Sequence, residues 1–251
     1  MISDHNKVAV LMLKPECNMH CEYCVIEDDF SSFPYEVACE LAIKLKAEGY
    51  NNLILGGGEP TLWRGDVFKL AHFSKSLGFF VQIGTNAIRL PLDFASNTDI
   101  DRWILPLDSS HEEIHNQLRH YKSSHFQIMM NVLGQLKKNK RDVYISTVVT
   151  SINKTSLDDM INFLNEYNCE NKNLISWNLY QLLPLGRGGL VNWDTLKITT
   201  EEFDSIVAKL KSRDRNFKIT VRKNMYASKN VDFFTYKDDA MNLNEKFYVK
   251  K

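Results

Sequence analysis

The chain has 251 residues, 44% of them hydrophobic and 25% charged, enough to bury a large core without disulfides or structural metals. Lys+Arg and Asp+Glu both number 31, so the formal net charge is zero and no global field draws nucleic acid or an anionic membrane. Collagen-like, disordered and disulfide-scaffold classes are excluded.

In chain order, residues 8–13 form the first strand candidate, an apolar run too short to span a membrane that ends at Lys14. Pro34 suits a first helical position, and Val37, Leu41 and Leu45 recur every four residues before Gly49. A strand at 53–55 leads into Gly56-Gly57-Gly58-Glu59-Pro60. Val67, Leu70 and Phe73 mark a helix that closes near Gly78, and strands follow at 79–83 and 103–107. Phe126, Met130, Leu133 and Leu136 mark another helix, before a strand at 143–149. Ser156 is placed to cap a helix carrying Leu157, Met160, Ile161 and Leu164; a strand at 175–183 comes next. Thr199-Thr200-Glu201-Glu202 reads as a capping box ahead of Phe203, Val207 and Leu210. Further strands are expected at 217–222 and 233–236, with Asp238-Asp239 in a turn.

The alternation predicts an α/β protein with a parallel sheet, open or curved into a barrel. The near-continuous apolar runs read as strands buried on both faces. Chemistry is then expected at the strands' carboxyl ends. With no linker-like tract, residues 1–212 are taken as one core and 213–251 as a C-terminal extension closing the substrate side.

Two concentrations of residues stand at such strand ends. Cys17, Cys21 and Cys24, spaced C-x3-C-x2-C, follow the first strand. Three thiolates this close in sequence can converge on one metal centre: a zinc site with His20 as fourth ligand, or a [4Fe–4S] cluster with one open iron. Three buried cysteines that bind nothing are the plain alternative. The second concentration is Gly56–58 with Glu59. Three of the 11 glycines sit here and three more are Gly186, Gly188 and Gly189, which implies close backbone approach to a ligand or an ordinary turn. With no signal-peptide-like segment, this cysteine usage leads to the expectation of a reducing cytoplasm.

The order Cys17-x3-Cys21-x-Tyr23-Cys24, then Gly57-Gly58-Glu59-Pro60, resembles the radical S-adenosylmethionine (SAM) superfamily. Thr85-Asn86 resembles the family's Thr-Asn-Gly, with Ala87 in place of glycine. Leu107-Asp108-Ser109 resembles its Leu-Asp-Ser, and His115 and Arg119 its downstream His-Asp and Leu-Arg-Gly. The segment from Leu183 to Gly188 resembles a Pro-x-Gly-Arg element. The resemblance covers about residues 8–190.

It implies a partial six-stranded (β/α) barrel with a short C-terminal extension. It also implies a [4Fe–4S] cluster held by Cys17, Cys21 and Cys24, and SAM as co-substrate. On this resemblance Gly57, Gly58 and Glu59 receive the SAM amino group, and Tyr23 lies near adenine or is plain core. Asp108 and Ser109 face the ribose or methionine end, Asn86 reaches the same ligand, and Arg119 pairs with the SAM carboxylate or is an exposed helix arginine. The implied reaction is reductive cleavage of SAM to a 5′-deoxyadenosyl radical that abstracts hydrogen from a small, anionic or nucleotide-like molecule. A flavodoxin- or ferredoxin-type electron donor is implied too. A peptide or protein substrate is the second reading, and a non-catalytic cluster or metal binder on a degenerate barrel the third.

Departures from the family narrow these expectations. The fifth strand lacks a Gly-x-Ile-x-Gly-x-x-Glu element, leaving Thr147 and Asn153 as candidate polar groups. His111 and His115, four apart, are a metal pair or separate solvated groups. Arg187 clamps an anion or caps a helix end, and the basic residues Arg213, Arg215, Lys218, Arg222 and Lys223 are substrate contacts or a solvated surface. Cys39 and Cys169 stand alone and cannot build an auxiliary four-thiolate cluster. Single-cluster members therefore fit better than members with a multi-cysteine C-terminal extension, and the order of motifs most resembles viperin-like and molybdopterin-cyclase-like members.

Overall fold

The computed structural model describes residues 7–224, 228 and 230–237, so the turn expected at Asp238-Asp239 lies outside the described residues. In chain order the elements are β1 (Val8–Met12), β2 (His20–Cys21), α1 (Tyr35–Ala47), β3 (Asn52–Gly56), α2 (Val67–Ser76), β4 (Phe80–Gly84) and β5 (Arg102–Pro106). Then come α3 (Glu112–Leu118), β6 (Arg119–His120), α4 (His125–Lys138), β7 (Asp142–Val149), α5 (Leu157–Asn168) and β8 (Leu174–Gln181). The last are α6 (Gly186–Gly189), α7 (Trp193–Leu196), α8 (Thr200–Ser212), β9 (Lys218–Arg222) and β10 (Val231–Phe234).

Local signals account for some boundaries. Thr199 and Glu202 form the full capping box of α8, each side chain accepting from the other's backbone N–H. Ser124 caps α4 by accepting from Gln127 N–H at 3.2 Å. Two expectations differ in detail. Pro34 is the N-cap of α1, with extended backbone, rather than its first helical residue. Ser156 precedes α5 but makes no capping bond, because its hydroxyl is drawn to Ser109 Oγ (2.9 Å) and the Asn153 carbonyl (3.0 Å).

The chain divides into two compact units. Among the described residues, one comprises Lys7–Cys17, Glu27–Trp103 and those after Asn224; the other comprises Asn18–Ile26 and Ile104–Asn224. In the first, the strands run in the order β10-β1-β3-β4, with every pair parallel. Helices α1 and α2 return the chain between successive parallel strands, as such connections require. Leu11, Leu53, Leu55, Val81 and Ile83 are fully buried there. In the second, the order is β5-β7-β8-β9, with β7–β8 and β8–β9 parallel. Ile145, Trp177, Leu179, Leu164 and Phe203 form its core.

Residues 218–222 continue the sheet beside β8, and 231–234 continue it beside β1. Each covers a strand edge that would otherwise present unpaired backbone groups.

The strands also differ from the doubly buried expectation. In β7, Val143, Ile145, Thr147 and Val149 are buried while Tyr144, Ser146 and Val148 are half-exposed. In the same unit α5 and α8 pack on β8.

Candidate functional site

In the first unit the ends of β1, β3 and β4 carry the candidate residues. Gly57 adopts φ +125°, and a Cβ there would stand 2.6 Å from the Lys14 carbonyl oxygen. A Cβ on Gly58 would overlap the carbonyl oxygens of Pro15 and Glu16. Gly58 N–H donates to the Lys14 carbonyl (2.7 Å) and Glu59 N–H to that of Glu16 (3.0 Å). The glycines thus seat the stretch that leads into Cys17.

Glu59 is fully buried and engaged within the chain. Its carboxylate accepts from Thr85 Oγ1 (2.6 Å), Asn86 N (2.7 Å), Thr61 Oγ1 (2.7 Å) and Thr61 N (3.0 Å). Burial raises its pKa above the usual carboxylate range, and these donors oppose the rise. Through these bonds the carboxylate expected to meet an amine of a ligand also ties the end of β3 to the end of β4. Asn86 accepts from Ile88 N–H (3.1 Å) and donates from Nδ2 to Cys17 Sγ (3.5 Å). Ala87 follows at φ +61°, the left-handed conformation that suits the glycine it replaces.

In the second unit Cys21 lies in β2, paired antiparallel with β6, so that Cys21 faces Arg119 and His20 faces His120. Consecutive residues on a strand point to opposite faces. His20 is exposed and turned away from the side that Cys21 takes, which removes it as a shared zinc ligand. Cys24 N–H donates to the Cys21 carbonyl at 3.1 Å.

The second glycine cluster holds this turn. Gly188 and Gly189 N–H both donate to the Cys24 carbonyl, at 3.0 and 3.1 Å, and Arg187 N–H to that of Ile26 at 3.0 Å. A Cβ on Gly188 would come within 2.5 Å of Cys21 O and Cys24 N, and one on Gly186, at φ +70°, would overlap the Val25 backbone. The close approach read from these glycines is to the cysteine loop itself.

Asp108 is the hub of this unit. It is fully buried and accepts from Tyr23 Oη and from Arg119 Nε (2.6 Å) on one oxygen, and from Val148 N–H (3.2 Å) on the other. Its own N–H donates to His115 Nδ1 (3.1 Å), and its carbonyl accepts from Asn153 Nδ2 (2.9 Å). Arg119 also reaches Cys21 Sγ from Nη1 (3.5 Å), and its guanidinium lies 5.2 Å from the centre of the Tyr23 ring. Tyr23 packs with Leu118, Leu182 and Leu196. Burial raises the Tyr23 pKa well above its ordinary range, so the phenol stays protonated and donates.

Several expected ligand contacts are thus internal. Tyr23 is a buried anchor rather than an open stacking face, because its hydroxyl needs the Asp108 partner. Ser109 Oγ bonds Ser156 and accepts from His111 N–H (3.0 Å). Arg119 is neither exposed nor solvated; its side chain is only 11% exposed and Asp108 neutralises it. Thr147 donates to the Leu107 carbonyl and accepts from Trp177 Nε1 (2.8 Å), while Asn153 also bonds Thr150; both brace strand ends.

His111 and His115 do not pair. His111 meets Asp159 at the surface (2.8 Å), while buried His115 bonds His125 (2.8 Å) with the rings nearly coplanar. Because His115 Nδ1 accepts from Asp108 N–H, the proton of the neutral ring sits on Nε2. Burial, reinforced by Arg119, lowers its pKa to about 3. His125 was not foreseen, since ten residues separate it from His115 and no local pattern joins them.

Of the basic tail, Arg213 pairs with Asp158 (3.4 Å) and Lys223 with Asp204 (2.7 Å), as a solvated surface would. Cys39 is half-buried and Cys169 exposed. Among the described residues no helix is long and apolar enough to cross a membrane. Also among the described residues, no three His, Cys, Asp or Glu side chains are gathered as a site for a single ion. What bears on a multi-iron cluster is therefore the donor set and its surroundings.

A family model described as the Radical SAM superfamily matches residues 12–164. A curated S-adenosylmethionine-dependent nucleotide dehydratase of Lacinutrix mariniflava is 26% identical over 201 residues, 74% of this chain and 40% of that protein. An AdoMet-dependent heme synthase of Methanosarcina barkeri is 25% identical over 187 residues, 68% of this chain and 49% of that protein. The chain thus spans less than half the length of these two relatives. Among solved structures, Streptococcus suis SuiB bound to S-adenosylmethionine superposes with TM-score 0.70 at 14% identity, covering 88% of this chain and 52% of that one. AnSMEcpe with bound AdoMet and a peptide gives TM-score 0.64 at 21% identity, covering 82% and 59%. These likenesses show the expected fold, a parallel α/β partial barrel.

Proposed function

From the premise that this chain belongs to the radical SAM superfamily, we propose that Cys17, Cys21 and Cys24 hold its [4Fe–4S] cluster. The enzymes of this superfamily use that cluster together with SAM, and structural neighbours carry AdoMet. The residues present fit such a cluster. There are three thiols, two of them with a side-chain N–H donor to sulfur, on a loop whose ends lie against glycines that no side chain could replace without a clash. Bound together, cluster and SAM supply reductive cleavage to a 5′-deoxyadenosyl radical that abstracts hydrogen from substrate.

The observation that carries this reading is the pair of glycine cradles on the cysteine loop. The chain's own part is orientation. Gly58 and Glu59 N–H are engaged by Lys14 and Glu16, so an amino group arriving at Gly57-Gly58 would be met by carbonyl oxygens. Glu59 acts by holding that turn to Asn86, and Asp108, Ser109 and Tyr23 by holding the Cys21 side, rather than by touching SAM. A flavodoxin- or ferredoxin-type protein would deliver the electron, in a reducing cytoplasm.

The substrate we favour is a small, anionic, polar molecule. Across β7–β9, Ser146, buried Asn178 and Thr220 align in one row, and Tyr180 stands beside exposed Arg222 in the next. Hydroxyl and amide groups with one guanidinium suit phosphate or carboxylate bearers. The relative named as a nucleotide dehydratase agrees with that class. A peptide is the second reading, favoured by neighbours crystallised with peptides.

The test is anaerobic reconstitution, reduction, addition of SAM and mass-spectrometric assay of 5′-deoxyadenosine, with Cys21→Ala alongside. Product from the wild type alone is expected. A fully loaded cluster that neither binds nor cleaves SAM would sink the reading.

A further inference from the structure

One arrangement in the second unit is not explained by holding a loop. Arg119 is a buried cation that touches both a carboxylate and a thiol. Its backbone faces Cys21 across the β2–β6 pair, so the two side chains spring from opposed positions. Three contacts then fix the guanidinium: Nε on Asp108, Nη1 on Cys21 Sγ at 3.5 Å, and one face against the Tyr23 ring at 5.2 Å. Asp108 is itself held by Tyr23 Oη and Val148 N–H, so the guanidinium cannot swing to another partner without breaking a buried network. Cys17 has a different donor, the neutral amide of Asn86.

Resting on the cluster assignment above, we propose that Arg119 is a positioning residue that sets the reduction potential of the cluster through its N–H on Cys21 Sγ, with Asp108 as the counter-charge that limits its effect. The physics is electrostatic. A reduced cluster carries one more negative charge, and a charge-assisted donor to a ligating sulfur stabilises that form more than the oxidised one. Asp108 opposes this, being an anion 2.6 Å from the same guanidinium. The pair therefore makes a signed prediction. Removing the cation should lower the potential, removing the anion should raise it, and removing both should return it near the wild-type value.

The experiment is an EPR-monitored redox titration of anaerobically reconstituted protein without SAM. It compares wild type, Arg119→Gln, Asp108→Asn and the double variant. Each single change is expected to move the reduction equilibrium about tenfold, which is ~59 mV for a one-electron couple, in opposite directions. An unmoved potential and EPR signal in loaded Arg119→Gln overturns the inference, as do shifts of the same sign in both single variants. Weakened SAM binding with an unmoved SAM-free potential also overturns it, by assigning Arg119 to the SAM carboxylate. Should Arg119→Gln not load, Asp108→Asn carries the test: a raised potential supports the proposal and an unmoved or lowered one overturns it. If the wild type takes up no cluster under conditions where it is folded, the cluster assignment itself fails, which is a separate result.

Discussion

The two glycine clusters do the same job by different electrostatic means. Gly57 and Gly58 seat the stretch before Cys17, beside a buried carboxylate, Glu59, that only neutral hydroxyl and amide donors satisfy. Gly186 and Gly188 seat the turn from Cys21 to Val25, beside a buried ion pair, Asp108 and Arg119. A lone anion in neutral surroundings has a raised pKa and responds to pH. A buried pair is intolerant of losing one partner. The comparison thus separates two kinds of fragility in one cysteine loop.

The largest effect is expected on the second side. Arg119→Ala leaves Asp108 buried without its counter-charge, and urea unfolding of the cluster-free protein should show a loss of about 3–5 kcal/mol. A loss under ~1 kcal/mol would mean that the pair is solvated and that the contrast is wrong. Next come the cradles. Gly58→Ala and Gly188→Ala each force a Cβ against backbone, costing about 1–3 kcal/mol, and should reduce cluster loading measured by iron content. Full loading in both would show that the loop can shift freely.

The pH dependence sharpens the contrast because the two units carry opposite signs. His115 has a folded pKa of about 3 against an ordinary 6.5, so between those values the unfolded chain binds the extra proton. Its contribution is present above pH 6.5 and is lost as pH falls, at about 1.4 kcal/mol per pH unit. Glu59 is the reverse case: its raised folded pKa means that the folded chain holds the proton more tightly. Stability then falls as pH rises from the ordinary carboxylate range through that raised value. Stability–pH curves of His115→Gln and Glu59→Gln should lose the rise and the opposing fall respectively. If neither curve changes, both groups are hydrated in the folded protein. The smallest effect is expected at Ala87→Gly, where relief of a positive φ and the greater chain entropy of glycine nearly cancel. Thermal unfolding should report a change within ~1 kcal/mol.

Much of this was legible in the residues. The six strand runs, the capping box of α8 and the three thiols follow from periodicity, capping chemistry and spacing, which are local. The clustered glycines announced a close approach, but not to what. Other features are decided by tertiary structure. Glu59 reaches Thr85, Asp108 reaches Tyr23 and Arg119, and His115 reaches His125, across separations that no periodicity encodes. Residues expected to point at a ligand are engaged with one another because a buried charge must find a partner. The two late strands show the same limit: their β propensity was readable, but that they would cover the edges of β8 and β1 was not. By itself the sequence determined the long strands and helices, the cysteine loop and the kinship that names its cofactors, but not the short β2, α3, β6, α6 and α7. Only the tertiary structure decided which polar side chains brace that loop, because hydrogen-bond partners distant in sequence are chosen by packing.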